Sequence, residues 1–228
     1  MIGSVDQLVN QKILLWEEER RIAARKRPQG QGPMVCVSRE YGARGAAMAR
    51  MVAERLGFQF YSQELIQEIA EVAQVRQQVV ASLDERLQDS ISEWVVGLMK
   101  RDGFTPSDYL RNLSKVVLTL ARLGRGVVVG RGAHFILERN STLRVRVVSP
   151  LETRVARIAQ RDSLPVDEAR GTIRRIDAER VAFNRRHYGA DLTDPVNYDL
   201  IVNTGTLGLE GAANQVVAAF ESRFGRPA

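Results

Sequence analysis

The chain has 228 residues, of which 44% are hydrophobic and 26% are charged, proportions close to those of an ordinary soluble globular protein. This composition excludes a wholly disordered chain, and no apolar run reaches the roughly 20 residues that a membrane-spanning helix needs. One cysteine, Cys36, excludes a disulfide framework, and two histidines, His134 and His187, do not suffice for a histidine-rich metal centre, so we predict a cytoplasmic protein.

The basic residues are almost all arginine. The formal net charge is +6, and only four of the 33 cationic residues are lysine. Between residues 144 and 186 there are 11 arginines against six acidic residues, which concentrates the positive charge in one stretch. A guanidinium fits phosphate through two hydrogen bonds at once, so the composition indicates anionic partners such as nucleotides. The alternative, a solvated surface on which arginine replaces lysine, stays open for any single arginine.

The first predicted element is a helix over residues 4–27, with Ser4 and Gln7 forming a capping box, followed by a linker rich in glycine and proline. Residues 1–33 therefore form an arm outside the main domain. We expect this arm to dock on the body of the protein or on a second copy, which would make a homodimer. Its three consecutive glutamates argue against binding to an anionic membrane surface.

Short apolar runs alternate with helical patterns over the rest of the chain. Strands are predicted at 34–38, 58–61, 126–130, 143–149 and 199–203, and helices at 46–56, 63–75, 107–123, 151–161, 166–187 and 210–224. This alternation predicts a parallel sheet covered by helices on both faces. Arg144 and Arg146 alternate with apolar residues, so we expect the fourth strand to be partly exposed. The polar stretch 76–108 is interpreted as an insertion.

The first strand runs into a glycine-containing loop, 39–46, and then into a helix. Unpaired amides at a helix start and the helix dipole favour anions, and Gly42 and Gly45 allow a backbone to approach a phosphate. Two glycines at this spacing also form ordinary tight turns, so the motif alone leaves both interpretations open. The loop lacks the lysine and hydroxyl of the full phosphate-loop pattern, and Arg44 is the nearest cation that could replace them.

Several blocks, in this order, resemble the cytidylate kinase-like proteins. They are SREYGARG at 38–45, ERLGFQFY at 54–61, ELI at 64–66, VGRGAHFIL at 129–137, VSPLETR at 148–154, ID at 176–177, DPVNYDL at 194–200 and GLEG at 208–211. The resemblance implies an α/β, three-layer P-loop nucleoside monophosphate kinase fold over residues 34–228, with a five-stranded, mainly parallel sheet and a helical lid at about 151–190. It also implies transfer of a phosphoryl group from ATP to a nucleoside monophosphate, with CMP or dCMP as the expected acceptor.

The resemblance implies a site as well. The donor phosphates would lie on the loop formed by Gly42, Ala43, Arg44, Gly45 and Ala46. Arg131 would contact the acceptor phosphate. His134, near a predicted helix start, is a candidate contact for the nucleotide, with helix capping or a surface position as the alternative. The lid would supply Arg175, Asp177 and Arg180, although Arg154, Arg157, Arg161 and Arg174 compete for the same roles. The expected catalytic set is therefore Arg44, Arg131, Arg175 and Arg180. No side chain can be named as a metal ligand, so Mg²⁺ is expected to be held mainly through nucleotide phosphates and water.

The sequence departs from the family pattern at three points. Ala46 stands where a basic residue usually follows the loop, Ser62 and Gln63 replace an aspartate–arginine pair, and His134 replaces an aspartate. These changes motivate a second hypothesis, a catalytically weak or inactive nucleotide-binding relative that acts as a regulatory or interaction module. A third hypothesis, nucleic-acid or protein scaffolding through the basic arm and lid, ranks last because basic and aromatic residues are not interleaved.

Overall fold

The computed structural model describes residues 33–66 and 108–227. Three predicted segments lie outside these ranges: the N-terminal helix with its linker, except for residue 33, the end of the helix predicted at 63–75, and the insertion at 76–108, except for residue 108. The described strands are β1 (Met34–Arg39), β2 (Gln59–Tyr61), β3 (Gly126–Val129), β4 (Thr142–Val148) and β5 (Leu200–Asn203). The helices are α1 (Gly45–Leu56), α2 (Asp108–Leu123), α3 (Ala133–Ile136), α4 (Leu151–Asp162), α5 (Val166–Tyr188) and α6 (Gly208–Phe224).

The five strands form one sheet in the order β2-β3-β1-β4-β5, and every pair of neighbours is parallel. β1 lies in the middle, paired with β3 on one side and β4 on the other. Because parallel strands end at the same edge, the loop after β1 lies beside the loop after β3, with Val37 paired to Val129. Ligands of such sheets bind at this carboxyl edge, where neighbouring loops diverge.

Helices cover both faces of the sheet, as the alternation of strands and helices predicts. Successive side chains of a strand point to opposite faces. Accordingly, Met34 and Cys36 pack with α2 and α3, whereas Val35 and Val37 pack with α1 and α6. All four of these β1 residues are buried. In the described ranges, no helix has both the length and the hydropathy that crossing a bilayer requires.

The expectation that the fourth strand is partly exposed is wrong. β4 lies between β1 and β5, and Arg144 and Arg146 are only 5% and 7% exposed. Each guanidinium has a buried or half-buried partner: Arg144 forms an ion pair with Asp199 at 2.5 Å, and Arg146 donates to Ser38 Oγ at 2.8 Å. Alternating arginines in a strand therefore mark internal hydrogen bonds here rather than a solvent face.

α4 and α5 pack against each other as a helical hairpin beside the loop after β1. Their shared apolar cluster is small and centres on Val155, Ile158, Ala169 and Ile173. Tyr41, from the loop after β1, packs against the same cluster. The hairpin occupies the position predicted for the lid and is in direct contact with the loop.

Candidate active site

The loop between β1 and α1 turns through two left-handed residues. Gly42 has φ 79° and Arg44 has φ 58°, and Arg44 is the residue that precedes the helix. Gly45 begins α1 so close to β1 that a Cβ atom there would lie 2.6 Å from Arg39 Cβ and 3.3 Å from Val147 Cβ. Glycine at position 45 therefore allows the helix to start directly against the end of the strand.

The first turn of α1 presents backbone N–H groups that the rest of the described chain leaves unpaired. Met48 N–H donates to Arg44 O at 3.1 Å, the first bond of the helix, and no side chain caps the helix start. The N–H groups of Gly45, Ala46 and Ala47 have no acceptor among the described residues. Unpaired amides at the positive end of a helix form a binding site for phosphate.

A cleft of about 530 Å³ opens over this loop, and we call it the loop cleft. Its charged lining consists of five arginines and two glutamates, namely Arg39, Arg44, Arg157, Arg161, Arg180, Glu40 and Glu64. Glu40 is already engaged, because its Oε2 accepts from Ser149 N–H at 3.1 Å and lies 3.4 Å from Arg154 Nε. The loop cleft is thus strongly cationic, which suits a polyphosphate.

Two arginines of the α4–α5 hairpin, the predicted lid, contact Tyr41 in the loop cleft. Arg161 Nη2 donates to Tyr41 Oη at 2.7 Å, and the guanidinium groups of Arg161 and Arg180 lie 5.5 and 5.6 Å from the tyrosine ring centre. Arg180 Nη1 also donates to Arg39 O at 2.9 Å. The lid cations are therefore positioned by contacts with the loop itself.

Asp177 lies between α5 and the loop, and it lines neither the loop cleft nor the cleft at the end of β3 described below. Its Oδ1 accepts from Tyr41 N–H at 2.8 Å, and its Oδ2 pairs with Arg154 Nη1 at 2.6 Å. Arg154 is 8% exposed and also donates to Ser149 O and Tyr41 O. The structure thus gives Asp177 and Arg154 the role of a brace that ties α5 and α4 to the loop.

A second cleft, of about 260 Å³, lies at the end of β3, and we call it the Arg131 cleft. Gly130, Arg131 and Gly132 are all left-handed, with φ of 80°, 54° and 66°. A Cβ atom on Gly132 would overlap the ring of Tyr188, whose hydroxyl donates to Arg131 O at 2.6 Å. The strained backbone at a non-glycine residue, Arg131, is a feature that proteins concentrate at functional sites.

The Arg131 cleft combines cations with buried neutral groups. Arg39, Arg131 and Arg180 line it together with one carboxylate, Glu179. The Arg131 guanidinium lies 5.7 Å from the ring centre of Phe183. His134 is 6% exposed and also lines this cleft. The cleft therefore offers charge for a phosphate and less polar walls for the rest of a ligand.

His134 is a neutral hydrogen-bonding group. Burial, together with the charges of Arg144 and Arg146, lowers the pKa of its imidazole to about 3. Its Nε2 is buried and has no hydrogen-bond partner among the described residues. A buried polar atom at a cleft wall without a protein partner is a candidate contact for a bound ligand.

A family model, described as the cytidylate kinase-like family, matches residues 34–206 of this chain. The chain belongs to the cytidylate kinase-like family. A cytidylate kinase of Ignicoccus hospitalis is 26% identical over 184 residues, which is 80% of this chain and 96% of that protein. A cytidylate kinase of Pyrococcus horikoshii is 33% identical over 115 residues, 49% of this chain and 57% of that protein, so the match spans little more than half of its length.

A solved structure confirms the fold. An uncharacterized protein from Eubacterium ventriosum matches with a TM-score of 0.65 and 19% identity, over 84% of this chain and 99% of that one. Together with the all-parallel sheet and the family match, this confirms the predicted three-layer P-loop nucleoside monophosphate kinase fold. Membership of the cytidylate kinase-like family also supports a kinase-type enzyme that acts on nucleotides.

The structure brings most of the predicted site residues to the two clefts. Gly42, Arg44, Gly45, Ala46 and Arg180 line the loop cleft, and Arg131, His134 and Arg180 line the Arg131 cleft. Ala43 is buried beneath the loop, where its carbonyl accepts from Thr204 Oγ1 at 2.7 Å. Arg175 lines neither cleft; its side chain is 63% exposed and pairs with Glu179 at 2.7 Å.

Sequence reasoning missed one central residue and left two others unresolved. Arg39 and Arg180 are the two residues that line both clefts, and Arg39 was absent from the predicted site. Its position as the last residue of the central strand is a signal that could have found it, because ligands bind at strand ends. Arg157 and Arg161, named only as competitors for lid roles, line the loop cleft.

The residues present fit magnesium held by a nucleotide. Within residues 33–66 and 108–227, no group of three or more histidine, cysteine or acidic side chains could hold a metal ion by itself. Glu64 is a loop-cleft carboxylate; burial alone would raise its pKa, but hydrogen bonds from its own amide and Ser62 and the charges of Arg39 and Arg131 lower it. Glu64 is therefore ionised and is the candidate carboxylate of this cleft for a magnesium–nucleotide complex.

Proposed function

We propose that this chain transfers the γ-phosphoryl group of ATP to a nucleoside monophosphate, with CMP or dCMP as the preferred acceptor. The observation that carries the proposal is that two cation-lined clefts, one over a loop with unpaired helix amides and one at Arg131, meet at Arg39 and Arg180. Phosphoryl transfer requires two anionic substrates to be aligned end to end with positive charge between them. The preference for a cytidine acceptor is supported by relatives that are cytidylate kinases.

The loop cleft binds the donor in this proposal. The N–H groups of Gly45 and Ala46 bind phosphate oxygens at the start of α1, and the arginines of α4 reach the same oxygens from the lid side. Arg44 is exposed at the helix start and adds charge at the mouth of the cleft. Magnesium would enter bound to ATP and would neutralise phosphate charge, and Glu64 is the cleft carboxylate that would be available to hold it.

The Arg131 cleft binds the acceptor. The Arg131 guanidinium binds the acceptor phosphate, because its fork of donors matches two phosphate oxygens. Phe183 offers an aromatic face, and the unpartnered Nε2 of His134 offers a neutral hydrogen bond to the sugar or base. The lid helices α4 and α5 exclude water, which otherwise accepts the phosphoryl group.

A second candidate function is supported by the brace at Asp177. Its carboxylate already binds a loop amide, Tyr41 N–H, and the loop lacks the lysine of the full phosphate-loop pattern. A nucleotide-binding relative with little or no turnover, acting as a regulatory or interaction module, would have these features. It predicts tight ATP binding by calorimetry without formation of ADP when CMP is present.

The test is a steady-state assay of ADP and CDP formation with ATP, Mg²⁺ and each common nucleoside monophosphate. We expect transfer to CMP and dCMP, and we expect Arg131→Ala to raise the KM for CMP about 10- to 100-fold, since a charge-assisted hydrogen bond contributes roughly 1.5–3 kcal/mol. Arg44→Ala, which removes an exposed cation, is expected to raise the KM for ATP only a few-fold.

Equal kinetics in Arg131→Ala and Arg44→Ala would contradict these site assignments. Absence of transfer to every acceptor, with ATP still bound, would favour the second candidate function. A cytoplasmic location and a homodimer formed through residues 1–33 stay predictions, which fractionation and sedimentation of the full chain would check.

A further inference from the structure

Arg39 occupies the boundary between the two clefts. It is the last residue of β1, and the structure places it in the lining of both the loop cleft and the Arg131 cleft. Its guanidinium crosses the end of β3 directly over Gly130, where a Cβ atom would overlap Arg39 Nη1. A side chain at position 130 would therefore push this guanidinium out of its place between the clefts.

The guanidinium of Arg39 is held in orientation by a neutral partner. Its Nη2 donates to Gln63 Oε1 at 2.6 Å, whereas its backbone carbonyl accepts from Arg180 Nη1 at 2.9 Å. In the described ranges, no carboxylate lies within ion-pair distance of Arg39. An amide oxygen fixes the direction of the guanidinium fork without neutralising its charge.

The charges that face Arg39 are mostly of the same sign. Burial and the neighbouring charges of Arg180, Arg131 and Arg146 lower its pKa to about 9, with Glu64 opposing them. The guanidinium remains charged at neutral pH. Burying a cation among other cations without a paired anion is costly, so the site is electrostatically incomplete until an anion binds.

We propose that Arg39 is a catalytic residue of the phosphoryl transfer argued above, on which this inference rests: its guanidinium contacts the phosphoryl group as that group passes from the loop cleft to the Arg131 cleft. Arg39 thereby supplies the charge of the lysine that the loop lacks. It reaches the phosphoryl group from the end of the central strand rather than from the start of α1.

The transfer needs no group from the protein to be consumed. An oxygen of the acceptor monophosphate, present as the dianion, forms a bond to the γ-phosphorus of ATP. The bond from that phosphorus to the bridging oxygen breaks, and its electron pair stays on ADP. Negative charge spreads over the three oxygens of the moving phosphoryl group, and the Arg39 fork donates hydrogen bonds to two of them.

The experiment compares the full-length wild type with Arg39→Gln, Arg39→Lys and the control Arg50→Gln, which removes an exposed α1 arginine that lines neither cleft. Circular dichroism melts establish that each variant is folded. With ATP, Mg²⁺ and CMP, we expect Arg39→Gln to lower kcat about 100- to 1,000-fold, the range seen when one preorganised donor to a transition state is removed. The KM values should change much less, and Arg50→Gln should match wild type.

The pH dependence of Arg39→Lys is a measurement that would not change if the role of Arg39 were purely structural. The introduced ammonium would face Arg131, Arg146 and Arg180, with Glu64 as the opposing charge, so its pKa would fall below the ordinary value. In the free enzyme, deprotonation then removes its charge as the pH rises, and we expect kcat/KM of this variant, which reports the free enzyme, to decline between about pH 6 and 8. Wild type should show no such decline over that interval, because the pKa of Arg39 itself is about 9.

Two results overturn the assignment. A folded Arg39→Gln variant whose kcat lies within threefold of wild type refutes it, as does an Arg39→Lys variant whose pH profile matches that of wild type. Either result leaves the proposed function standing, because the wild type still transfers phosphoryl to CMP. Absence of transfer by wild type to any nucleoside monophosphate refutes the proposed function and this assignment together.

Discussion

The two clefts present different chemical groups to a ligand. The loop cleft uses unpaired amides at the start of α1 and arginines such as Arg44 and Arg161, which are exposed to solvent. The Arg131 cleft uses a tightly packed turn and a buried, neutral imidazole at His134. Exposed charge tolerates many polyphosphates, whereas buried and neutral groups discriminate between ligands. We therefore expect the loop cleft to set affinity for phosphate and the Arg131 cleft to set selectivity for the acceptor.

The packed turn of the Arg131 cleft gives the largest predicted effect. Gly132→Ala combines a left-handed φ with overlap of the Tyr188 ring, and we expect it to lower the free energy of unfolding by about 3 kcal/mol. Gly189→Ala is the matched control, because that glycine is also left-handed but has no atom within 4 Å of the added Cβ. Its expected cost is about 1 kcal/mol. Urea unfolding measures both, and equal costs would show that Tyr188 does not constrain the turn.

The neutrality of His134 makes stability depend on pH. Its pKa is about 3 in the folded chain, so between that value and about 6.5 the unfolded state binds the additional proton and stability falls as the pH falls. At pH 5 the expected loss relative to pH 7 is about 2 kcal/mol. Thermal or urea unfolding of wild type and His134→Asn at both pH values isolates this residue. A loss of the same size in both proteins would contradict a neutral imidazole.

The brace between lid and loop should affect the loop cleft alone. Asp177→Asn retains an oxygen for Tyr41 N–H but removes the charge that pairs with Arg154. We expect a loss of about 1 kcal/mol in unfolding free energy and a few-fold higher KM for ATP, with the KM for CMP unchanged. Steady-state kinetics with each substrate varied in turn check this. An effect confined to CMP would reverse the assignment of the two clefts.

The smallest effect is expected at Arg175, which sequence reasoning placed in the catalytic set. Its exposed pair with Glu179 spans one helical turn, and such pairs contribute roughly 0.3–0.5 kcal/mol. Arg175→Ala should therefore leave kcat and both KM values within twofold of wild type. A loss of kcat comparable to that in an Arg180→Ala variant would show that Arg175 reaches a substrate during turnover.

Most of the fold could be predicted from the sequence, because the buried strands are continuous apolar runs. Within residues 33–66 and 108–227, the five strands and the five longer helices begin and end within two residues of their predicted limits. The exposure predicted for the fourth strand was wrong, because Arg144 and Arg146 alternate with apolar residues as in a strand with one solvent-facing side. Their partners, Asp199 and Ser38, lie 55 and 108 positions away in sequence, and spacing gives no information about such contacts.

The site was predictable as a set of loops but not as a set of side chains. The segments 42–46 and 130–132 were found because glycines at strand ends are a local signal. The sequence did not show which face of α5 lies toward the loop. Arg175 and Arg180 are five residues apart, which places them about 140° apart around α5, so they do not face the same cleft. Which arginine faces the loop depends on how the hairpin packs. The place of Arg39 between the two clefts depends on how β1 pairs with β3, because its guanidinium lies over the end of β3.

The small hydrophobic core of the α4–α5 hairpin has a consequence for the proposed turnover. Four small or medium-sized buried residues, Val155, Ile158, Ala169 and Ile173, form its centre, apart from the two large clusters that flank the sheet. With so few apolar contacts, we expect the hairpin to unfold or swing locally at a lower free energy than the central sheet. Amide hydrogens of α4 and α5 should thus exchange with deuterium before those of β1. Product escape can proceed by this local motion while the sheet stays intact.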